Sequence, residues 1–219
     1  MKVLIITGGN IDRDFAFSFL KNNTYDEVIA VDGGLAAADT MNIPITHLVG
    51  DFDTIDGKTL ERYVHRSDLT VHQYIPEKDY TDTDIAVKLA IDLLGKSDKK
   101  ELHILGGTGT RLDHVLANLQ MLKRPLDAGV DAMIVDKNNY IRMIRGKYTL
   151  RREEAFGKYV SLIPITNRIE GLTLKGFKYP LDRASTGFGE SLCVSNELIA
   201  EQGEIEMEEG MAWLIMSRD

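Results

Sequence analysis

Residues 77–84 read "EKDYTDTD" and hold four carboxylates, Glu77, Asp79, Asp82 and Asp84, with one lysine, Lys78, among them. A second acidic group, "GDFDT" at 50–54, adds Asp51 and Asp53, and Asp32 stands upstream in "VDGG". Carboxylates gathered at one place repel each other, and a hard divalent cation relieves that repulsion. Mg²⁺ takes oxygen ligands and couples to phosphates, so the set suits metal-assisted handling of a phosphorylated substrate. Capping accounts for part of the first cluster. Thr81 followed by Asp84 fits a capping box, and acids in a first turn suit the helix dipole. Capping leaves the second cluster unexplained, because it closes a different apolar run.

The elements that must position these acids are legible as alternating apolar strands and helical stretches. "KVLIITGG", "EVIAVDGG", "HLVGDFD", "TVHQYIP", "ELHILGGTG" and "VDAMIVD" read as six strands. Between them come helical stretches at 12–21, "LAAADTM", 58–65, the run after Thr81, and "DHVLANLQMLKR". Such alternation predicts a parallel, Rossmann-like sheet covered on both faces. In open sheets of this kind ligands bind outside the carboxyl ends of the strands. There the chain places Gly8, Gly9 and Asn10; Asp32, Gly33 and Gly34; Asp51 and Asp53; Lys78, Asp79, Thr81 and Asp82; and finally Gly106 to Arg111 with Asp113. Glycines let backbone amides approach a ligand, and helix N-termini attract phosphate. Acids or glycines close each of the first five strands, which together predicts a metal–phosphate site on that rim. "GGTGTR" is neither a P-loop nor a dinucleotide fingerprint. His114 reads as a helix-surface residue and Trp213 as core.

Beyond residue 137 the texture changes. "NNYIRMIRG", "YTLRRE", "KYVSLIPIT", "IEGLTLKG" and "MAWLIMS" are short runs separated by turn residues. They predict an antiparallel β-sandwich over 138–219, following an α/β domain over 1–137. The 219 residues carry a net charge of −8 with no basic block, which disfavours nucleic acid and anionic membranes as partners. One cysteine, Cys193, excludes a disulfide framework within the chain. No apolar run approaches a membrane span, so a soluble, cytoplasmic protein is expected.

The motifs "VDGG", "GDFDT", "PEKDYTDTD", "GGTGTRLDH" with Asn118 after it, "GFKYPL" and "VSNE" occur in this order. They resemble thiamine pyrophosphokinase (thiamine diphosphokinase) of the bacterial type over nearly the whole chain. The resemblance implies transfer of pyrophosphate from ATP to the hydroxyethyl arm of thiamine, with Mg²⁺, in a homodimer. It implies metal and catalytic roles for Asp51, Asp53 and Asp82. It places Asp32, Gly33, Lys78, Asp79, Thr81, Thr108, Arg111 and Asp113 on the nucleotide side. Ser195 and Asn196 match the segment that reaches thiamine from the other subunit. Thr110 stands where glycine is common in the family, and "FKYP" where some members have tryptophan. Two readings from other classes remain open on the residues alone: a metal-dependent phosphohydrolase, and a non-catalytic nucleotide- or thiamine-binding module.

Overall fold

The computed structural model describes residues 1–53, 55–75, 79–95 and 97–219. The chain divides into two compact units, Met1–Lys137 and Asn138–Asp219. In the first, the elements run β1 (Lys2–Ile6), α1 (Arg13–Lys21), β2 (Glu27–Val31), α2 (Gly34–Thr40), β3 (His47–Gly50) and α3 (Gly57–Val64). Then come β4 (Thr70–Gln73), α4 (Asp82–Leu94), β5 (Glu101–Leu105), α5 (Leu112–Met121), α6 (Lys123–Asp127) and β6 (Asp131–Val135). The six strands lie in the order β4-β3-β2-β1-β5-β6 and every pairing among them is parallel.

The apolar runs explain this layout. Val3, Leu4, Ile5 and Ile6 are all fully buried, as a strand covered on both faces requires. β4, "TVHQ", is the most polar strand and takes the edge, where one side of the ladder meets solvent. α4 lies across β1, β2 and β3 and packs against α5 and α6. The stretch expected as one helix, "DHVLANLQMLKR", divides after Met121. Pro125 is the cause, since it has no N–H to give the carbonyl four residues back, and its ring crowds that carbonyl.

The strand order reverses between β1 and β5. Chain leaving β1 goes one way across the sheet and chain leaving β5 goes the other, so a crevice opens between their carboxyl ends. Asp32, Asp82, Gly33 and the glycines after β1 and β5 line that crevice, whereas Asp51, Asp53 and Asp79 are not among its lining residues.

The second unit holds β7 (Asn139–Ile144), β8 (Lys147–Arg151), β9 (Tyr159–Pro164), β10 (Arg168–Lys175), β11 (Leu181–Gly187), β12 (Gln202–Glu206) and β13 (Ala212–Ser217). β7, β13 and β9 pair antiparallel, and β11-β10-β12-β8 form a four-stranded antiparallel sheet. Val160, Leu162 and Leu214 from the first set share a core with Leu150, Leu172, Leu174 and Ile205 from the second. This is a two-layer sandwich. β11 and β12 are absent from the runs expected above, because "LDRASTG" and "QGEIE" are too polar to alternate visibly. Trp213, expected in the core, is only partly buried: Ala212, Leu214 and Met216 take the inward positions of β13, so period two turns Trp213 outward. No helix among the described residues is long and apolar enough to cross a membrane.

Candidate active site

The crevice at the strand reversal is a cleft of about 690 Å³. Its walls are Thr7 to Asn10 after β1, Val31 to Gly33 after β2, Asp82 and Thr83 at the start of α4, and Gly106 to Arg111 after β5. His114, Val115 and Asn118 of α5 complete it. The start of α4 and the start of α5 therefore both face the cleft, and the positive end of each helix dipole favours an anion there.

Glycine is required where these loops touch. A Cβ on Gly9 would overlap the carbonyl oxygens of Gly106 and Thr108, so the loops after β1 and β5 can lie against each other only with glycine there. The contact is held by Gly9 N donating to Gly106 O at 3.0 Å and Asn10 N to Thr108 O at 2.7 Å. Similarly, a Cβ on Gly50 would overlap Asp32 Oδ1.

Asp32 is the electrostatic centre of the site. It has φ +41°, in the left-handed region that aspartate tolerates better than most residues. Burial pushes its carboxyl up to about 7, reinforced by the charge of Asp82 and by a side-chain hydrogen bond between the two. The Phe52 N–H opposes the shift, donating to Asp32 Oδ1 at 3.4 Å, and the charge of Asp51 adds to it. Asp32 and Asp82 thus stand within hydrogen-bond reach of each other, and their carboxyl groups together offer hard oxygen donors to a cation. On this observation the residues present fit a divalent ion. Among the described residues, no three His, Cys, Asp or Glu groups are already grouped as a cation cage.

Phe52 sets Asp51 and Asp53 apart. It is buried, 6% exposed, and held at φ +67°. A bulky residue in that region costs on the order of 1–3 kcal/mol, which the burial of its ring offsets. Asp51 is half-buried and near enough to act on Asp32, while Asp53 is exposed. The Asp53 N–H donates to Asp51 Oδ1 at 3.2 Å.

Of the other residues singled out in the sequence, Gly33, Thr108 and Arg111 line the cleft. Thr108 Oγ1 donates to Asp136 Oδ2 at 2.8 Å. Arg111 and Asp113 form a two-point ion pair, Nη2 to Oδ2 at 2.7 Å and Nε to Oδ1 at 3.3 Å. That pair, with the His114 N–H, holds the Asp113 carboxyl at about 2. Asp79 is exposed, and Thr81 caps α4 by accepting from Asp84 N at 3.2 Å; neither is among the cleft-lining residues. Lys78 lies outside the described residues. In the second unit, Ser195 has φ +60° and its N–H donates to Ser161 Oγ at 2.9 Å. Asn196 is buried and brackets Tyr179: Oδ1 accepts from Tyr179 N at 3.0 Å and Glu197 N at 2.9 Å, and Nδ2 donates to Tyr179 O at 2.9 Å.

Some cleft residues are not among the site residues expected from the sequence. His114, read as a surface residue, is exposed but lines the cleft, because the first turn of α5 faces it. Thr7 and Thr83 are buried in its wall with their hydroxyls 2.8 Å apart. Asn118 Nδ2 donates to Gly107 O at 2.8 Å and pins the glycine loop to α5.

Residues 19–134 match the family model "Thiamin pyrophosphokinase, catalytic domain", and residues 147–212 match "Thiamin pyrophosphokinase, vitamin B1 binding domain". The chain is 35% identical over 192 residues to the thiamine pyrophosphokinase of Bacillus subtilis, covering 87% of each. It superposes on a crystal structure of thiamine pyrophosphokinase from Bacillus subtilis with a TM-score of 0.86 and 32% identity, covering 100% of both chains. For the thiamin pyrophosphokinase from Geobacillus thermodenitrificans the TM-score is 0.84 and the identity 30%, covering 100% of this chain and 98% of that one.

Proposed function

Since the chain belongs to the thiamin pyrophosphokinase family, we propose that it transfers the pyrophosphoryl group of ATP to thiamine, giving thiamine diphosphate and AMP. The observation that carries this reading is the Asp32–Asp82 pair in a glycine-walled cleft at the strand reversal. Phosphoryl chemistry of this type depends mainly on positioning and charge neutralisation, and the cleft supplies both.

The triphosphate lies along the glycine loops after β1 and β5 and the starts of α4 and α5, where backbone N–H groups meet its oxygens. Gly33 lets the chain after β2 approach closely, and Thr108 and Arg111 add side-chain donors. Arg111 exchanges its exposed partner Asp113 for phosphate, a switch that costs little because surface pairs are weak. Lys78, Asp79 and Thr81, which precede α4 in the sequence, are assigned to the nucleotide as well. Asp51, Asp53 and Asp82 would hold Mg²⁺, with Asp32 beside them, and the ion bound there would supply neutralisation of the phosphate charge. The thiamine hydroxyl oxygen attacks the β-phosphorus, and the bond from that phosphorus to the α–β bridging oxygen breaks. AMP leaves with the bridging oxygen, and the hydroxyl proton passes to a carboxylate. We assign that role to Asp82, which lines the cleft from the first turn of α4.

Thiamine carries a fixed positive charge, which an acidic cleft favours. We place Ser195 and Asn196 at the thiamine end of a site completed by the second subunit of a homodimer. Ser195 offers an exposed hydroxyl there, and Asn196 acts by holding Tyr179 in place. ATP as the donor points to the cytoplasm as the place of reaction.

Incubation with ATP, Mg²⁺ and thiamine, followed by separation of products, tests the reading. AMP and thiamine diphosphate in equal amounts are expected, and Asp51→Asn should lose most turnover with an unchanged melt. Orthophosphate released from phosphate esters would instead indicate a phosphohydrolase. Ligand binding without any product would indicate a binding module.

A further inference from the structure

The first turn of α4 carries Asp82, and the residues beside it are tied down on two sides. Thr83 Oγ1 meets Thr7 Oγ1 at 2.8 Å, which fixes the turn to the end of β1. Asp84 Oδ2 accepts from Arg124 Nη2 at 3.0 Å, which fixes it to α6. The same guanidinium stands 5.6 Å from the centroid of the Tyr80 ring. One side chain from α6 therefore grips residues on both sides of Thr81 and Asp82.

Asp84 depends on that grip. It is 9% exposed, and its Oδ1 has no hydrogen-bond partner among the described residues. A carboxylate buried this far holds its place only when paired, and removing its partner leaves an uncompensated charge. Asp82 and Asp84 are two residues apart, so they point roughly 200° apart around the helix. Asp84 can be anchored to α6 while Asp82 faces the cleft. Loss of the anchor would force Asp84 outward and turn Asp82 away from Asp32.

We propose that Arg124 is a positioning residue for the reaction. It holds Tyr80 and Asp84 so that Asp82 presents its carboxylate to the cation and to the phosphates. The inference rests on the pyrophosphokinase reading of the cleft.

The test compares Arg124→Met, Arg124→Lys and the wild type. It measures the affinity for Mn²⁺ with a non-hydrolysable ATP analogue bound, and kcat, KM and the thermal midpoint. Residues that orient a metal ligand typically cost on the order of 10–100-fold in metal affinity or activity when replaced. Arg124→Met is expected to lose that much in both Mn²⁺ affinity and kcat, with KM for thiamine unchanged. Arg124→Lys, which keeps a cation on Asp84, should recover most of both. Arg124→Met that melts earlier but matches wild type in Mn²⁺ affinity and in kcat per folded molecule would overturn the proposal. If Arg124→Met does not fold, Tyr80→Leu decides: it removes an exposed ring face and should weaken Mn²⁺ binding with an unchanged melt, and unchanged Mn²⁺ binding would overturn the proposal. A wild type that binds Mn²⁺ but makes no AMP overturns the pyrophosphokinase reading, and the Mn²⁺ affinities still decide the role of Arg124.

Discussion

Asp32 titrates in an unusual place, and the consequence for stability has a definite sign. Its carboxyl keeps a proton up to about 7 in the folded, ligand-free protein, against an ordinary value of 3.8. Between those values the unfolded chain has already lost the proton that the folded chain retains. The unfolded state binds fewer protons there, so stability falls as pH rises across that window and levels off above it. His72 works in the opposite sense. Burial, with the neighbouring His47, lowers its pKa, so its contribution is lost as pH falls below 6.5. Urea unfolding in EDTA at several pH values between 4.5 and 8 should therefore show less downward slope for Asp32→Asn than for wild type. Equal slopes would mean that the retained proton sits on another group.

The loops of the second unit are held by side chains acting as backbone partners, and Asn196 is the clearest case. It satisfies Tyr179 at both its N–H and its carbonyl, and the Glu197 N–H as well. Its own backbone pairs with Val160, N to O at 3.1 Å and O from N at 2.8 Å. Alanine at 196 would keep the backbone pairing and orphan three polar groups. Each unsatisfied buried group costs about 1–3 kcal/mol, reduced where water can enter. Asn196→Ala is expected to lose about 2–4 kcal/mol in urea unfolding. A loss under about 0.5 kcal/mol would show that the bracket is not structural. The Tyr179 ring, 59% exposed, is presented to solvent by this bracket.

For the whole molecule the question is whether one copy of the chain suffices for activity. The acids at 32–82 and the segment at 195–197 belong to different units of the chain. Subunit exchange distinguishes a shared site from a private one. Asp82→Asn damages the acidic side. Ser195→Arg places a bulky cation where a cationic substrate is proposed to bind, at an exposed residue whose replacement leaves the Asn196 bracket intact. Each variant alone should be nearly inactive. In the proposed homodimer with shared sites, refolding the two together in equal amounts makes half the dimers mixed, each with one intact site, so roughly a quarter of all sites recover. Activity that stays at the level of the separate variants would mean that each site belongs to one subunit.

Much of this protein is legible in its residues. Short, β-branched apolar runs such as "KVLII" and "EVIAV", closed by glycines, point to strands covered on both faces, and helices between them make the sheet parallel. Strand order then follows few rules, so the acids and glycines at strand ends were readable as a rim, and Thr81 as a cap. β11 and β12 were not readable, since their stability comes from pairing within a sheet and not from apolar alternation. Nor does sequence spacing say which acids meet. Asp32 and Asp82 lie fifty positions apart and hydrogen-bond because β2 ends where α4 begins its crossing of the sheet. Asp51 and Asp53 are two apart, yet the left-handed turn at Phe52 leaves one half-buried and the other in solvent. Nothing in the order of residues links Arg124 to Asp84; α6 packs on α4 and sets the two together. Local chemistry is written in the order of residues, but a carboxylate's pKa and partners depend on distance through space, and packing alone decides that distance.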